Sequence, residues 1–256
     1  MSDELSALVR ATLDSGGAEA IAYGGRWRSW AWVKRLADHL DEALTAAGFP
    51  AGVPVALIAR NRPASVAAFA AQIAARRPTS MIYSAQNGAA LAADVRALRA
   101  AAVLADPQDW TPALTAAAAE AGSAGIAIAD DEDRPVSPVA GVERVGDGPH
   151  HAVGDGVGFE LLSSGTTGAP KRVPLQWGTV ASAVRDSGKV YAGTTQRQAP
   201  LLMLHPMGNV AGVSYLCPPL ANGQSIVLLE KFAVDTWAEA VRVYGPSDSF
   251  ASLAPD

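Results

Sequence analysis

The sequence predicts an α/β fold in which mostly parallel sheets are flanked by helices. Short apolar runs alternate with segments of helical periodicity, and the connections between them are short. The composition is globular, because 49% of the 256 residues are hydrophobic and 18% are charged. Alternation of this kind is typical of strand–helix–strand units, whose strands pair in parallel.

The first half of the chain supplies most of this alternation. Ser29 can cap a helix whose apolar positions follow helical spacing, and Gly48 stands where such a helix would end. Residues 53–59 form an apolar run that suits a buried strand, and Asn61 and Pro63 are signals for the next helix. The elements predicted next are a helix to about Arg76, a strand at 81–83, a helix at 89–101, a strand at 102–105, a helix near 111–121 and a strand near 125–129.

Residues 130–157 interrupt the pattern. They are rich in Asp, Gly and Pro, which predicts a long surface loop or a boundary between subdomains. His150 and His151 could in principle hold a metal ion, but neighbouring side chains usually point apart, so we interpret them as a solvated pair. The alternation resumes with a strand at 159–163, a helix near 176–191, strands near 201–204 and 225–229, and a helix near 234–244.

Composition and charge exclude several classes of protein. Cys217 is the only cysteine, so an internal disulfide and a Cys-rich zinc site are excluded. A net charge of −5 argues against a nucleic-acid partner. The acidic start of the chain is unlike a signal peptide, and no stretch of about 20 strongly apolar residues predicts a transmembrane segment. We therefore expect a soluble, cytoplasmic protein.

Residues 163–171, Ser-Ser-Gly-Thr-Thr-Gly-Ala-Pro-Lys, are the segment most indicative of chemistry. Glycines let backbone N–H groups approach an anion, and hydroxyl groups donate to phosphate oxygens or bind a magnesium ion. Lys171 adds a positive charge. The pattern indicates polyphosphate binding, and the alternative is an exposed polar turn after a strand. It is not a P-loop, because Pro170 replaces the Gly before the lysine, and the chain has no Gly-x-Ser-x-Gly elbow of a serine hydrolase.

Residues 163–171 resemble the signature phosphate loop of the adenylate-forming (AMP-binding) superfamily, which includes acyl- and aryl-CoA ligases, luciferases and nonribosomal adenylation domains. The resemblance covers most of the chain. Residues 30–48 are similar to the family's first helix, and 53–61 to its next strand and the asparagine that follows. Residues 204–232 resemble a later segment that contains Gly223, an apolar strand at 225–229 and the pair Lys231-Phe232.

The resemblance implies an ATP-dependent acyl- or aryl-CoA ligase, which forms an acyl-adenylate and then transfers the acyl group to the thiol of coenzyme A. Its small-molecule partners would be a carboxylic acid, ATP with Mg²⁺, and CoA, in a role such as fatty acid metabolism. The alternatives are an acyl-AMP ligase or carrier-protein adenylation domain, and a non-catalytic nucleotide-binding or interaction remnant. Thr166 and Lys171 would be catalytic and Thr166 the magnesium ligand, and the residues that would bind the phosphates are Ser163, Ser164, Gly165, Thr166, Thr167, Gly168 and Lys171.

Two positions depart from the family pattern. Arg172 stands where the family usually has glycine. Residues 206–212 resemble the family's Pro-x-x-His-x-x-Gly segment, with Asn209 in place of the histidine that lines the acyl pocket and Gly212 at its end. Asn209 is therefore a candidate for the acyl pocket, and the alternative is a helix cap without ligand contact. His205, four residues earlier, is given no role.

The resemblance also sets expectations for the organisation of the chain. We expect an N-terminal portion of the family fold, with residues 1–51 joining a second α/β subdomain, 52–195 forming the first, and 196–256 beginning the second. The family's adenine-binding motif, hinge and C-terminal lysine have no counterpart here, so the chain alone is expected to be inactive and to self-associate through uncovered apolar surface. Residues 164–171 are expected to be mobile without nucleotide. The carboxylic acid is not identified.

Overall fold

The computed structural model describes residues 4–162, 171–186 and 199–246. The helices are α1 (Glu4–Leu13), α2 (Trp30–Ala47), α3 (Pro63–Ala75), α4 (Gly88–Leu98), α5 (Pro112–Ala121), α6 (Trp177–Asp186), α7 (Val210–Asn222) and α8 (Val234–Tyr244). The strands are β1 (Glu19–Tyr23), β2 (Arg26–Ser29), β3 (Val55–Ala59), β4 (Thr79–Tyr83), β5 (Ala102–Ala105), β6 (Ala124–Ile128), β7 (Val136–Pro138), β8 (Val157–Leu162), β9 (Arg172–Gln176), β10 (Leu201–Met203) and β11 (Ile226–Leu228).

Helix α2 begins and ends where its sequence predicts. Ser29 Oγ accepts a hydrogen bond from the N–H of Trp32 at 3.2 Å, and Gly48 follows the helix with φ 79°. Glycine adopts this left-handed conformation at little cost, so it ends the helix. The predicted alternation from β3 to β6 and helix α8 are also confirmed, with bounds that differ by at most a few residues.

The larger sheet, in the described part of the chain, has seven strands in the order β7-β6-β5-β3-β4-β8-β9. Its five central strands are parallel, and β7 and β9 pair antiparallel at the two edges. The predicted fold class, mostly parallel sheets flanked by helices, is confirmed.

The smaller sheet combines the two ends of the sequence. Its order is β10-β11-β1-β2, and β1 runs parallel to β11 with Ile21 opposite Ile226. The N-terminal strands therefore share a sheet with strands from after residue 200. The division into segments 1–51, 52–195 and 196–256 stays a prediction, and its second boundary falls within 187–198, outside the described residues.

A layer of helices lies between the two sheets. The main buried cluster combines side chains of α1, α2, α3 and α7 with Leu57 and Leu104 of the larger sheet and with Ile226 and Leu228 of the smaller one. A second cluster packs α4 and α5 on the other face of the larger sheet, and a third packs α8 on the other face of the smaller sheet. Both faces of each sheet are thus covered by helices, as parallel sheets require.

Several elements of the structure are not predicted by the sequence patterns. The stretch 130–157 is not loop throughout, because it contains β7, which pairs antiparallel with β6. Helices α1 and α7 and strands β1, β2 and β9 are also absent from the predicted elements. The predicted helix near 176–191 is described only over α6, and its remainder lies outside the described residues.

No helix in residues 4–162, 171–186 or 199–246 combines the length and the apolar character needed to cross a membrane.

Candidate active site

Strands of both sheets end at one junction, and polar residues follow several of them. In the larger sheet, β3 is followed by Arg60 and Asn61, and β5 by Asp106. In the smaller sheet, β10 leads to His205 and β11 to Glu230. Ligands of α/β proteins commonly bind at the carboxyl ends of parallel strands, so this junction is the first place to look for a site.

Asn61 joins the carboxyl ends of the two sheets. Its Nδ2 donates to the carbonyl oxygens of His205 at 3.0 Å and Leu229 at 3.2 Å, and its Oδ1 accepts from the N–H of Met207 at 3.1 Å. The side chain is 6% exposed. Because buried polar groups are costly to leave unpaired, these three bonds fix the segment after β10 against the start of α3.

Charged groups surround Asn61 at the same junction. Arg62 forms ion pairs of 2.9 Å with Asp106 and with Glu230, and the Tyr23 hydroxyl donates to Glu230 at 2.5 Å. Burial opposes ionisation of Glu230, but the hydrogen bonds from Tyr23 and Arg62 outweigh it and lower the pKa of Glu230. The cluster links α3 and the end of β5 to β1 and β11.

The segment between β10 and α7 lies against the carboxyl end of β4. A Cβ atom on Gly208 would be 3.0 Å from Tyr83 Cα, and a Cβ atom on Gly212 would clash with the carbonyl oxygen of Pro206. A side chain at Gly212 would therefore force the backbone to shift, and one at Gly208 would push its neighbours by a few tenths of an ångström. β4 is the sheet neighbour of β8, the strand that leads into residues 163–171.

Asn209 caps α7. Its Oδ1 accepts from the N–H of Gly212 at 2.9 Å, and its backbone is extended, as is typical of an N-cap. The cap is one of the two roles that the sequence leaves open. A place for Asn209 and Gly212 in an acyl pocket stays a prediction.

An apolar cavity of about 410 Å³ runs along α7. It extends from Val210, at the N-terminal end of the helix, past Val213 to Pro218, and α6 supplies Val180 and Val184 to the opposite wall. Its walls suit an aliphatic or aromatic group.

His205 is connected to this cavity through Tyr215. The two rings stack with their centroids 4.5 Å apart, and Tyr215 also lines the cavity. His205 Nε2 is buried and has no hydrogen-bond partner in the described residues. A buried nitrogen of this kind is costly without a partner, and a polar ligand group at the junction would supply one.

Residues 163–171 connect β8 to β9, which pair antiparallel with Leu162 opposite Arg172. Lys171 is described and exposed, and it directly precedes β9. The predicted mobility concerns residues 164–171, of which only Lys171 is described. The other predicted phosphate-binding residues also lie outside the described residues. These residues are Ser163, Ser164, Gly165, Thr166, Thr167 and Gly168.

The interpretation of His150 and His151 as a solvated pair is wrong for His151. Its Nε2 lies 2.7 Å from Oε2 of Glu160, a carboxylate on β8 that is 8% exposed. Ser80 Oγ on β4 donates to the same oxygen at 2.5 Å. His150 faces elsewhere, with Nε2 3.1 Å from the carbonyl oxygen of Gly146. The sequence pattern does not reveal the burial of Glu160, because one of its partners, Ser80, lies 80 positions away.

The sequence profile of the AMP-binding enzyme family matches residues 9–252. The chain belongs to the AMP-binding enzyme family. The predicted resemblance to adenylate-forming enzymes is therefore confirmed. A search of curated proteins found no match.

Solved structures of adenylate-forming enzymes share this fold. ATP-bound MatB from Rhodopseudomonas palustris is 21% identical with a TM-score of 0.74, and the match covers 95% of this chain and 48% of that one. O-succinylbenzoate coenzyme A synthetase (MenE) from Bacillus subtilis, in complex with AMP, is 17% identical with a TM-score of 0.68, over 93% and 59%. Amide bond synthetase McbA from Marinactinospora thermotolerans is 23% identical with a TM-score of 0.65, over 93% and 47%. The chain spans about half the length of these proteins.

Within the AMP-binding family pattern, sequence reasoning misses His205 as a second candidate for the histidine position. Placing the family segment Pro-x-x-His-x-x-Gly on residues 206–212 puts Asn209 at the histidine position. His205-Pro206-Met207-Gly208 also contains His-x-x-Gly, with Leu202 at the proline position. This spacing could have indicated His205 as the family histidine. In the structure its ring stacks on Tyr215 of the cavity wall, so Asn209 is not needed in that place.

The predicted metal ligand, Thr166, lies outside the described residues. Among the residues that are described, no group of three or more His, Cys, Asp and Glu side chains could hold a metal ion. A magnesium site at Thr166 stays a proposal.

Proposed function

We propose that the chain forms the ATP-phosphate and acid-binding part of an enzyme that converts a carboxylate and ATP to an acyl-adenylate and passes the acyl group to the thiol of coenzyme A. The observation that carries the proposal is the junction at Asn61. There the segment that begins α7 lies against the carboxyl end of β4, which is the sheet neighbour of the strand that leads into residues 163–171, and an apolar cavity starts at the same helix.

The phosphate side of the site is assigned to residues 163–171. Backbone N–H groups and hydroxyls of Ser163, Ser164, Gly165, Thr166, Thr167 and Gly168 would bind the β- and γ-phosphates, and the Lys171 ammonium group would offset their negative charge. Thr166 would hold a magnesium ion bound with ATP, which would supply further positive charge. The remaining contribution of these residues is to hold the triphosphate so that pyrophosphate departs in line with the attacking carboxylate.

The acid side of the site is assigned to the cavity along α7. An acyl chain would lie between Val180 and Val184 of α6 and Val213 of α7, and its carboxylate would point toward the junction. His205 is our candidate for the carboxylate partner, since its buried Nε2 has no partner in the described residues and its ring stacks on Tyr215 of the cavity wall. Asn209 and Gly212 would shape the mouth of the cavity.

Catalysis at such a site needs no covalent bond between protein and substrate. The carboxylate oxygen attacks the α-phosphorus of ATP, the bond from that phosphorus to the bridging oxygen breaks, and pyrophosphate leaves with the electron pair. Alignment of the two anions and neutralisation of their charge lower the barrier. Lys171 and the backbone N–H groups of residues 163–169 would provide both on the phosphate side.

The acceptor is proposed to be coenzyme A, with a carrier-protein thiol as the alternative. A third alternative, from another class, is a nucleotide-binding remnant without catalytic activity. Acyl-adenylate formation by the full-length gene product, with a panel of short, long and aromatic acids, separates that third alternative from the other two. Adding coenzyme A to the same assay separates the first from the second.

Comparing the affinities for ATP and AMP tests the phosphate assignment without knowledge of the carboxylic acid. If residues 163–171 bind the β- and γ-phosphates, the chain should bind ATP with Mg²⁺ at least about tenfold more tightly than AMP, because AMP lacks both phosphates. Inorganic tripolyphosphate should compete with ATP in isothermal titration calorimetry. Equal affinity for ATP and AMP, or no competition by tripolyphosphate, would contradict the assignment of these residues.

A further inference from the structure

Arg172 lies at the base of the candidate phosphate segment. It is the first residue of β9, and it pairs with Leu162, the last residue of β8. Residues 163–171 therefore begin and end at this one pair. The AMP-binding pattern usually has glycine at the position of Arg172, so the side chain here is a feature of this chain.

The Arg172 side chain reaches across β8 to the next strand. Its Nη1 donates to the carbonyl oxygen of Met81 on β4 at 3.2 Å. Since the sheet order is β4-β8-β9, the two strands joined by this bond are two strand spacings apart, about 10 Å. The side chain must therefore cross the carboxyl end of β8, immediately before residue 163.

The hydrogen bond from Arg172 to Met81 lies just beyond the last paired residues of β4 and β8. The two strands pair at Thr79 with Phe159 and at Ser80 with Glu160, and Met81 is the next residue along β4. Within the described part of the chain, the backbone pairing of β8 with β4 ends at Glu160. Arg172 thus extends the connection between the two strands up to the start of the phosphate segment.

Two carboxylates, one on α4 and one on β8, act on the positive charge of Arg172. Burial lowers the pKa of the guanidinium, and the negative charges of Asp94 on α4 and Glu160 on β8 act in the opposite direction. In a pleated sheet Glu160, Leu162 and Arg172 lie on the same face, because Leu162 is two residues from Glu160 and directly opposite Arg172. The guanidinium therefore has both a hydrogen-bond acceptor and counter-charges that keep it over β8.

We propose that Arg172 is a positioning residue, which holds the carboxyl end of β8 and the backbone of Lys171 in the arrangement that binds the phosphates of ATP. The inference rests on the proposed function only for the identity of the ligand. The anchor itself, from Arg172 across β8 to Met81, is a property of the protein without nucleotide.

The test compares Arg172→Met, Arg172→Lys and the control Arg185→Met in the 256-residue chain. Arg185 is an exposed arginine on α6 that pairs with Glu4 at 2.7 Å, so its replacement removes a charge from an element other than β8 and β9. Residue-resolved amide hydrogen exchange is measured first, without nucleotide. Arg172→Met should speed exchange at residues 160–162 and 172–174 by about tenfold or more, and leave Ile226–Leu228 of the other sheet unchanged. Arg172→Lys should restore part of the protection, because lysine also donates to a carbonyl.

ATP affinity is measured next, by calorimetry on the same proteins. Arg172→Met should weaken ATP binding by about tenfold, which is typical for loss of a charge-assisted hydrogen bond, and Arg172→Lys should recover part of it. Unchanged exchange at 160–162 and 172–174 would overturn the anchor, whatever happens to ATP. Local exchange that rises while ATP affinity stays at the wild-type value would overturn the positioning role. If the wild-type chain binds no ATP while exchange behaves as expected, the proposed function fails and the anchor stands.

Discussion

The carboxamide oxygen of Asn61 accepts a hydrogen bond from the backbone N–H of Met207 at 3.1 Å, across 146 positions of sequence. The same side chain donates to two carbonyl oxygens that follow β10 and β11. One buried amide thus holds together a helix start at the larger sheet and two strand ends of the smaller sheet. This junction positions the segment that leads into α7, the helix that lines the cavity.

Replacement of Asn61 by alanine should destabilise the fold. The change leaves two carbonyls and one N–H without their partner, and we expect the free energy of unfolding to fall by about 3 kcal/mol. Urea denaturation measures it. Asn87→Ala is the matched control, because Asn87 caps α4 at an exposed position and its loss should cost only about 1 kcal/mol. Equal losses for the two variants would mean that the junction contributes little to stability.

The close approach at Gly212 predicts that alanine is not tolerated there. Its Cβ would clash with the carbonyl oxygen of Pro206, so Gly212→Ala should lower stability by about 2 kcal/mol or more. Gly178 lies in α6, where an added Cβ would have no neighbouring atom within 4 Å, so Gly178→Ala should be neutral or stabilise by about 0.5 kcal/mol. Thermal unfolding of both variants checks the pair. A Gly212→Ala protein as stable as wild type would show that the segment before α7 can move without cost.

Tyr23 predicts a loss of stability at high pH. Burial, together with the hydrogen bond to Glu230 and the charge of Glu230, raises the pKa of Tyr23 from its ordinary value of 10.0 to about 12. A phenol whose pKa is raised by folding stabilises the native state fully below pH 10, and that contribution is lost as the pH rises from 10 toward 12. Urea denaturation between about pH 9 and pH 12 should show this decline in wild type and a smaller decline in Tyr23→Phe. Identical pH profiles would exclude Tyr23 as its source.

The two roles considered for Asn209 make separable predictions. As the cap of α7, Asn209→Ala should cost about 1 kcal/mol, and Asn209→Asp should keep most of the stability because it retains the acceptor. As a pocket residue, Asn209→His should change the preference among acids of different chain length and leave ATP affinity nearly unchanged. Urea denaturation measures the stability change, and calorimetric titration with acids and with ATP measures acid preference and ATP affinity. A large effect on ATP with no change in acid preference would contradict the pocket assignment.

The sequence alone predicts elements whose signals are local. Helix α2 carries a cap, an apolar stripe and a terminal glycine within one segment, and α8 is found at its predicted bounds of 234–244. Helix α7 is not predicted, because Pro218 and Pro219 lie inside it, where proline removes backbone donors and normally argues against a helix. Its buried face, packed in the main core cluster, stabilises it against that cost.

The site is predictable only in part, because its contacts are long-range. The spacing of residues 163–171 indicates phosphate binding from one short segment. The partnership of Arg62 with Glu230 joins residues 168 positions apart, and nothing near either residue indicates the other. The same holds for Arg172 and Met81, which become neighbours only through the strand order β4-β8-β9.

The most direct test of the central claim is the affinity of the chain for ATP with Mg²⁺ when Lys171 is replaced by alanine. Isothermal titration calorimetry compares wild type, Lys171→Ala and the control Arg185→Ala, whose side chain is exposed and pairs with Glu4. If Lys171 neutralises the triphosphate, Lys171→Ala should weaken ATP binding by about tenfold or more and leave AMP binding unchanged, while Arg185→Ala matches wild type. ATP affinity of Lys171→Ala within about threefold of wild type would contradict the claim that this segment binds the phosphates.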